Sequence, residues 1–247
     1  MHEYINLDLD NIDKEHICCA IGDPKHQIGV DKKKEWIKSK LKDGHVFRKL
    51  NDRGKIFIEY EPIETAWVPI NGKNYMYIYC LWVAGSFKGK GIGKELLEYA
   101  INDAKNKKMS GICTLLSKKK KPFIGDKKFF EHFNFKVVDS INDYELMVLQ
   151  FDNNETPKFS DSARSMTIDS NDFTIYYSNE CPYVEYEVKE LSKYAKEHNI
   201  KINFIKIDTL NLAKNAPCIF NNWANFYKGE FISNTILNAN ALEKLIK

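Results

Sequence analysis

No apolar run in the 247-residue sequence approaches the roughly 18 residues that a membrane-crossing helix requires. The six cysteines, Cys18, Cys19, Cys80, Cys113, Cys181 and Cys218, contain no CxxC pair and no zinc-like spacing, which argues against a disulfide framework and against a structural metal. The first thirteen residues carry acidic groups but neither lysine nor arginine, the reverse of a secretory signal. Arginine is scarce, and the net charge of +3 is too small to imply nucleic acid. These absences predict a reduced, cytoplasmic chain with no membrane, metal or nucleic-acid partner. Abundant Tyr, Asn, Ile and Lys beside so little Arg suggest an AT-rich bacterial genome.

What is present is the composition of a globular chain: 43% hydrophobic and 29% charged residues, enough to bury a core. The length fits one large domain or two modest ones. Charge is unevenly spread, with net +5 over residues 1–150 and net −2 over 151–247. The sign changes across Phe151–Asp172, a stretch rich in Asp, Asn, Ser and Thr with no apolar period, which reads as a linker. The expected organisation is therefore a domain over 1–150, a linker over 151–172 and a smaller domain over 173–247.

In the first part, Lys32–Lys42 has helical spacing with Gly44 as its stop. His45–Leu50 and Lys55–Tyr60 read as strands joined by a turn. Tyr75–Val83, almost wholly aromatic and β-branched, reads as a strand buried on both faces. Gly91–Lys105 follows as a helix with Ile92, Leu96, Leu97 and Ala100 on one face, and Gly111–Leu116 is the next strand. A short aromatic helix over Lys127–Phe135 and two closing strands, Phe135–Val138 and Glu145–Leu149, complete it. In the second part, Phe173–Ser178 and Lys201–Ile207 read as strands around a helix at Pro182–His198. A hairpin over Phe226–Ile232 turns at Lys228-Gly229, and Ala239–Ile246 closes as a helix.

The sharpest motif lies where the buried strand enters the helix: Leu81-Trp82-Val83-Ala84-Gly85-Ser86-Phe87-Lys88-Gly89-Lys90-Gly91-Ile92-Gly93-Lys94. Exposed amides and the dipole of a helix N-terminus attract anions, and glycine lets phosphate oxygens come close to the backbone. Lys88, Lys90 and Lys94 add positive charge. The spacing is not that of a Walker A loop, and no acidic ribose partner for a dinucleotide fingerprint is evident.

Lys88-Gly89-Lys90-Gly91-Ile92-Gly93 resembles motif A of the GNAT acyltransferase superfamily, with Lys88 in place of the usual Arg or Gln. Phe129-Phe130-Glu131-His132-Phe133-Asn134-Phe135 resembles a second family block, with Phe130 at the position of the family's frequent general acid, a tyrosine. The resemblance implies an α+β or α/β fold, a mixed sheet flanked by helices. It implies that acetyl-CoA is the cofactor, with amides from Lys88 to Lys94 on its pyrophosphate and the backbone of Leu81, Trp82 and Val83 along its pantetheine arm. It also implies transfer of acetyl to an amine, on a small molecule or a peptide.

That reaction needs a group to deprotonate the amine. Glu59 and Glu61 share a strand face, and either one is a candidate base. Tyr79 is a candidate substitute acid. Cys80, on the central strand, is a candidate acyl carrier or simply a core thiol. The run Ser117-Lys118-Lys119-Lys120-Lys121-Pro122 reads as a solvated loop, or else as a contact for an acidic acceptor or for CoA phosphate.

Over nearly its whole length, with Tyr75–Val83, Phe87–Gly93, the Lys118–Pro122 run and Phe226–Ile232 included, the chain resembles the YoaP-type acetyltransferases, whose C-terminal part is YoaP-like. The element order of that part is expected to give a thioredoxin-like domain. Cys181, just before a helix, and Cys218, after Pro217 where that fold often uses a cis-proline, form a candidate thiol site. Two other functions stay open beside acetyl transfer: a catalytically silent CoA-binding or sensor protein, and a thiol-redox protein led by Cys181.

Overall fold

A computed structural model of the chain describes residues 2–121 and 123–246. It divides into two compact units. The first holds the chain up to Ile21, Ile37–Ala66 and Ile70–Phe159; the second holds Gly22–Trp36, Trp67–Pro69 and the chain from Ser160 onward.

The first unit contains β1 (Tyr4–Asn6), the last residues of α1 (Gln27–Leu41), β2 (Val46–Leu50), β3 (Ile56–Pro62), β4 (Ile70–Asn71) and β5 (Tyr75–Val83). It continues with α2 (Ile92–Asn106), β6 (Gly111–Ser117), α3 (Lys127–His132), β7 (Lys136–Ile141), β8 (Tyr144–Gln150) and β9 (Lys158–Phe159). Seven strands form one sheet in the order β1-β2-β3-β5-β6-β8-β7. Only β5 and β6 among these neighbours run parallel, and α2 is the crossover that parallel pairing demands. The periodic face of α2, Ile92, Leu96, Leu97, Ala100, Ile101 and Ala104, is buried against Ile56, Ile58, Tyr60, Met76 and Ile78. Each large aliphatic side chain so buried contributes about 1.5–3 kcal/mol.

β5 departs from the expected strand buried on both faces. It is buried from Tyr75 to Ile78, half-buried at Tyr79–Leu81, and exposed at Trp82. Its ladder with β6 runs only from Tyr75↔Gly111 to Ile78↔Thr114. Beyond that point β5 stays on β3 and β6 stays on β8, so the parallel pair separates.

A bulge coincides with the separation: Glu59 pairs with Cys80 and Tyr60 with Ile78, leaving Tyr79 as the extra residue. The bulge also shifts the strand's alternation. Met76 and Ile78 face the α2 core before it, Leu81 and Val83 after it.

The second unit contains α4 (Asp161–Ser165), β10 (Phe173–Tyr177), α5 (Val184–Glu197), β11 (Ile202–Lys206), α6 (Leu210–Lys214), β12 (Trp223–Tyr227), β13 (Glu230–Ser233) and α7 (Ala239–Ile246). Its sheet has the order β11-β10-β12-β13, with β10 and β11 parallel and the other neighbours antiparallel. Lys228 and Gly229 both have positive φ, at 52° and 83°, as the two-residue hairpin turn requires. Phe173, Ile175, Val184, Leu191, Trp223, Leu237 and Leu242 form its core. No peptide bond among the described residues is cis, so the one before Pro217 is trans.

The boundary read from composition differs from these units in two respects. The 151–172 stretch carries β9, paired with β4, and α4, with Phe159 and Ala163 buried. A two-residue strand and a five-residue helix are too short to display a period. Gly22–Trp36 belongs to the second unit although it lies far from it in sequence. Local pattern carries no signal of such long-range packing, but one glycine records it: a Cβ on Gly29 would stand 1.9 Å from the Pro182 carbonyl oxygen. Gly29→Ala must therefore displace backbone, and calorimetry is expected to show a melting temperature lower by about 5 °C or more. An unchanged transition would contradict the close approach.

Candidate active site

The glycine–lysine segment follows the end of β5, which has parted from β6 beyond Ile78. Gly85, Gly89 and Gly91 all adopt positive φ, between 63° and 81°, a region costly to residues with a side chain. Gly91 is the N-cap of α2 and supplies no side-chain cap. The first intrahelical bond runs from Glu95 N–H to the Gly91 carbonyl at 3.1 Å, so the amides of Ile92, Gly93 and Lys94 lie in the turn that a helix leaves without internal acceptors. A Cβ placed on Gly89 or Gly91 would meet nothing within 4 Å, so this backbone faces open space. Lys88, Lys90 and Lys94 are exposed around it. A loop of bare amides, a positive helix end and three ammonium groups suit the pyrophosphate of a CoA-type molecule.

Across the sheet, β3 is buried along almost its whole length, yet it carries two carboxylates. Glu59 and Glu61 are 2% and 0% exposed, not solvated strand residues. His45, just before β2 and fully buried, bridges them: Nδ1 lies 2.6 Å from Glu61 Oε2 and Nε2 lies 3.2 Å from Glu59 Oε1. Lys40, near the end of α1 and also buried, places Nζ 3.0 Å from Glu61 Oε1 and donates to the Thr65 carbonyl at 2.6 Å. Burial pulls the His45 pKa down, but the hydrogen bonds and charges of Glu59 and Glu61 outweigh it and leave the value above the ordinary 6.5. Unpaired, such charges would cost several kcal/mol each.

β5 brings the remaining candidates to the same place. Cys80 is the cross-strand partner of Glu59 and is half-buried. The Tyr79 ring lies 5.8 Å from the His45 ring and 5.2 Å from Tyr77, which sets it on the carboxylate face. Phe130 is buried in the α2 core, edge-on to Phe129 and Phe135, and offers no proton. Asn134 takes the left-handed conformation, φ 65°, that closes α3.

The lysine run after β6 is tied to its neighbours. Lys119 and Lys121 reach Asp143 at 3.9 and 3.3 Å, and Lys118 donates to the Asn142 carbonyl. Pro122 lies outside the described residues.

In the second unit, Cys181 is half-buried before α5. Cys218 is fully buried, donates to the Phe220 carbonyl, and burial pushes its thiol up to about 12. A thiol in that state is a poor nucleophile. Neither cysteine is in a disulfide.

The sequence reading missed His45 and Lys40. A usable signal existed: two carboxylates at i and i+2 in an otherwise apolar strand require cations from neighbouring elements. Among the described residues, no group of three or more His, Cys, Asp or Glu is placed to hold a metal ion, and no helix is long and apolar enough to cross a membrane.

Residues 17–135 match the acetyltransferase (GNAT) family and residues 201–244 match the YoaP-like family. The chain is 38% identical over 245 residues to the uncharacterized N-acetyltransferase YoaP of Bacillus subtilis (strain 168), covering 98% of each chain. Among solved structures it is similar to PH1933 from Pyrococcus horikoshii OT3, with 21% identity, TM-score 0.43, and coverage of 61% of this chain and all of that one. It is also similar to the PaiA N-acetyltransferase of Thermoplasma acidophilum in complex with coenzyme A, with 16% identity, TM-score 0.41, and coverage of 61% and 99%. The chain belongs to the GNAT family of acetyl-CoA-dependent N-acetyltransferases, in the branch that carries a YoaP-like C-terminal region.

His45 binds its proton more tightly in the folded chain than in the unfolded one. The stability this contributes is complete below pH 6.5 and is lost as pH rises through the raised folded value. Melting temperature is expected to fall between pH 6 and 8.5, and His45→Gln is expected to flatten that dependence. An identical slope in both proteins would remove His45 as its source.

Proposed function

We propose that the chain transfers acetyl from acetyl-CoA to the amine of a small molecule or peptide in the bacterial cytoplasm. The observation that carries this reading is the separation of β5 from β6 beside an open glycine–lysine helix start. Amides and side chains from Lys88 to Lys94, with Gly89, Gly91 and Gly93 among them, would hold the pyrophosphate. The backbone of Leu81, Trp82 and Val83 would hold the pantetheine arm. Bound acetyl-CoA supplies a thioester carbonyl that an amine attacks with loss of the CoA thiol.

Glu59 is the base. It is the carboxylate in register with Cys80 at the bulge. Glu61, held by Lys40 and His45, supports it from the far side. Tyr79 takes the acid's role that Phe130 cannot fill, and Cys80 lines the site as a thiol. For the second unit, strand order β11-β10-β12-β13 with one parallel pair supports a thioredoxin-like reading. The burial of Cys218 weighs against redox chemistry there and favours a role as scaffold. A second reading, CoA binding without turnover, is favoured by Phe130 alone.

Isothermal calorimetry with acetyl-CoA tests the cofactor. Gly91→Val, which puts a branched side chain at positive φ in the loop, is expected to weaken binding by about tenfold or more, near 1.4 kcal/mol. Undiminished affinity would separate this loop from the cofactor. Thiol release with an amine panel tests the chemistry. Glu59→Gln should lower kcat by about 10²–10⁴ while the acetyl-CoA Kd stays unchanged. Turnover equal to that of the unaltered protein would exclude Glu59 as the base, and binding without turnover in either protein would favour the second reading.

A further inference from the structure

We propose that His45 is a positioning residue for acetyl transfer. Standing as an imidazolium between Glu59 and Glu61, it keeps the Glu59 carboxylate ionised inside the sheet and orients it beside Cys80, where an acceptor ammonium gives up its proton. This rests on the reading of Glu59 as the base.

The geometry accommodates a proton on each ring nitrogen. Each ring nitrogen of His45 lies within 3.2 Å of a carboxylate oxygen. A neutral imidazole has one N–H and one lone pair, and the lone pair is matched only by a carboxyl that keeps its own proton. With both nitrogens protonated, the ring donates to both carboxylates at once.

The surroundings are consistent with that charge. From β3 come Glu59 and Glu61. From α1 and the turn after it come Lys40, 3.0 Å from Glu61, and Asp43, 3.9 Å from Lys40. From β5 comes Tyr79, with Tyr77 behind it. Lys40 and His45 offset the two buried carboxylates. Lys40 lies on Glu61, and His45 lies on both carboxylates.

Burial of a carboxyl group that is 2% exposed favours the neutral acid, and a cation beside it shifts that balance toward the carboxylate. The neutral acid takes no proton from an ammonium. His45 thus acts through Glu59. In the step itself, one N–H bond of the ammonium breaks, its electron pair stays on nitrogen, and the proton bonds to a Glu59 oxygen. Nothing is oxidised or reduced.

The test is a pH titration of the full-length protein labelled with 15N-histidine, read by NMR in the unaltered chain, in Glu59→Gln, and in His45→Gln to assign the signal. Both His45 ring nitrogens are expected to be protonated at pH 7, and the midpoint to fall by about one unit or more in Glu59→Gln. A singly protonated ring at pH 7, or a midpoint that Glu59→Gln does not move, overturns the proposal.

Thiol release with the amine panel supplies a kinetic readout that a merely structural role would not move. His45→Gln should raise the acidic limb of the kcat profile by about one pH unit, with KM for acetyl-CoA within about twofold. Equal loss of kcat at every pH overturns the positioning role. An unaltered protein that binds acetyl-CoA but releases no thiol defeats the base reading and this proposal with it. A neutral His45 in a protein that does turn over defeats this proposal alone.

Discussion

The parallel pairing of β5 with β6 ends at Ile78 and Thr114, and most of what the first unit can do follows from that interruption. Two parallel strands joined by a helical crossover normally stay paired and bury each other's edges. Here the bulge at Tyr79 turns β5 away while β3 keeps hold of it through Val83. The result is a strand with one edge committed and the other directed at an opening. The start of α2 follows that strand, and the glycine backbone leading into it is open. No single residue makes this arrangement. It needs the bulge, the termination of the ladder, and a loop whose glycines accept left-handed geometry.

The same bulge governs the charged cluster. By inserting one residue, it places Tyr79 and Cys80 together opposite Glu59 and returns Leu81 and Val83 to the α2 core. The face away from α2 collects Glu59, Glu61 and Tyr79, and receives His45 and Lys40 from the neighbouring elements. Two carboxylates, an imidazole and an ammonium group are buried there. Such an assembly is a weak source of stability, because desolvation consumes much of the Coulombic gain, and removing one member strands the others. Its persistence in the middle of a sheet is more easily understood as a means of holding a carboxylate ionised and aimed.

Much of the fold was legible in the sequence because its major elements are long and strongly patterned. Tyr75–Val83 and Ile92–Asn106 fall almost where period and composition place them. The glycine–lysine loop was legible for a different reason: few structures need glycine and lysine in alternation after a buried strand. What stayed hidden depends on pairing between distant segments. The exposure of Trp82 follows from where a ladder stops, which no local window records. His45 looked like the first residue of an ordinary strand, and its role is set by the register of β2 on β3 and by a lysine on α1. The short elements β9 and α4 lie in a polar stretch whose composition resembles a linker, and their partners, not their period, order them. Cys218, a candidate partner for Cys181 by its place in the sequence, is fully buried, which no local window records.

The packing of Gly29 against the Pro182 backbone has a consequence for how the chain is made. Synthesis runs from the N-terminus at about 5–20 residues per second, so Gly29 leaves the ribosome about 8–30 s before Pro182 does. During that interval the Gly22–Trp36 segment has no structural unit to join, although the residues on both sides of it are already available to the first sheet. A nascent chain halted near residue 150 would therefore hold the leading half of α1 without the unit it belongs to. Only when the chain from Ser160 onward has been made does that segment find the rest of its unit.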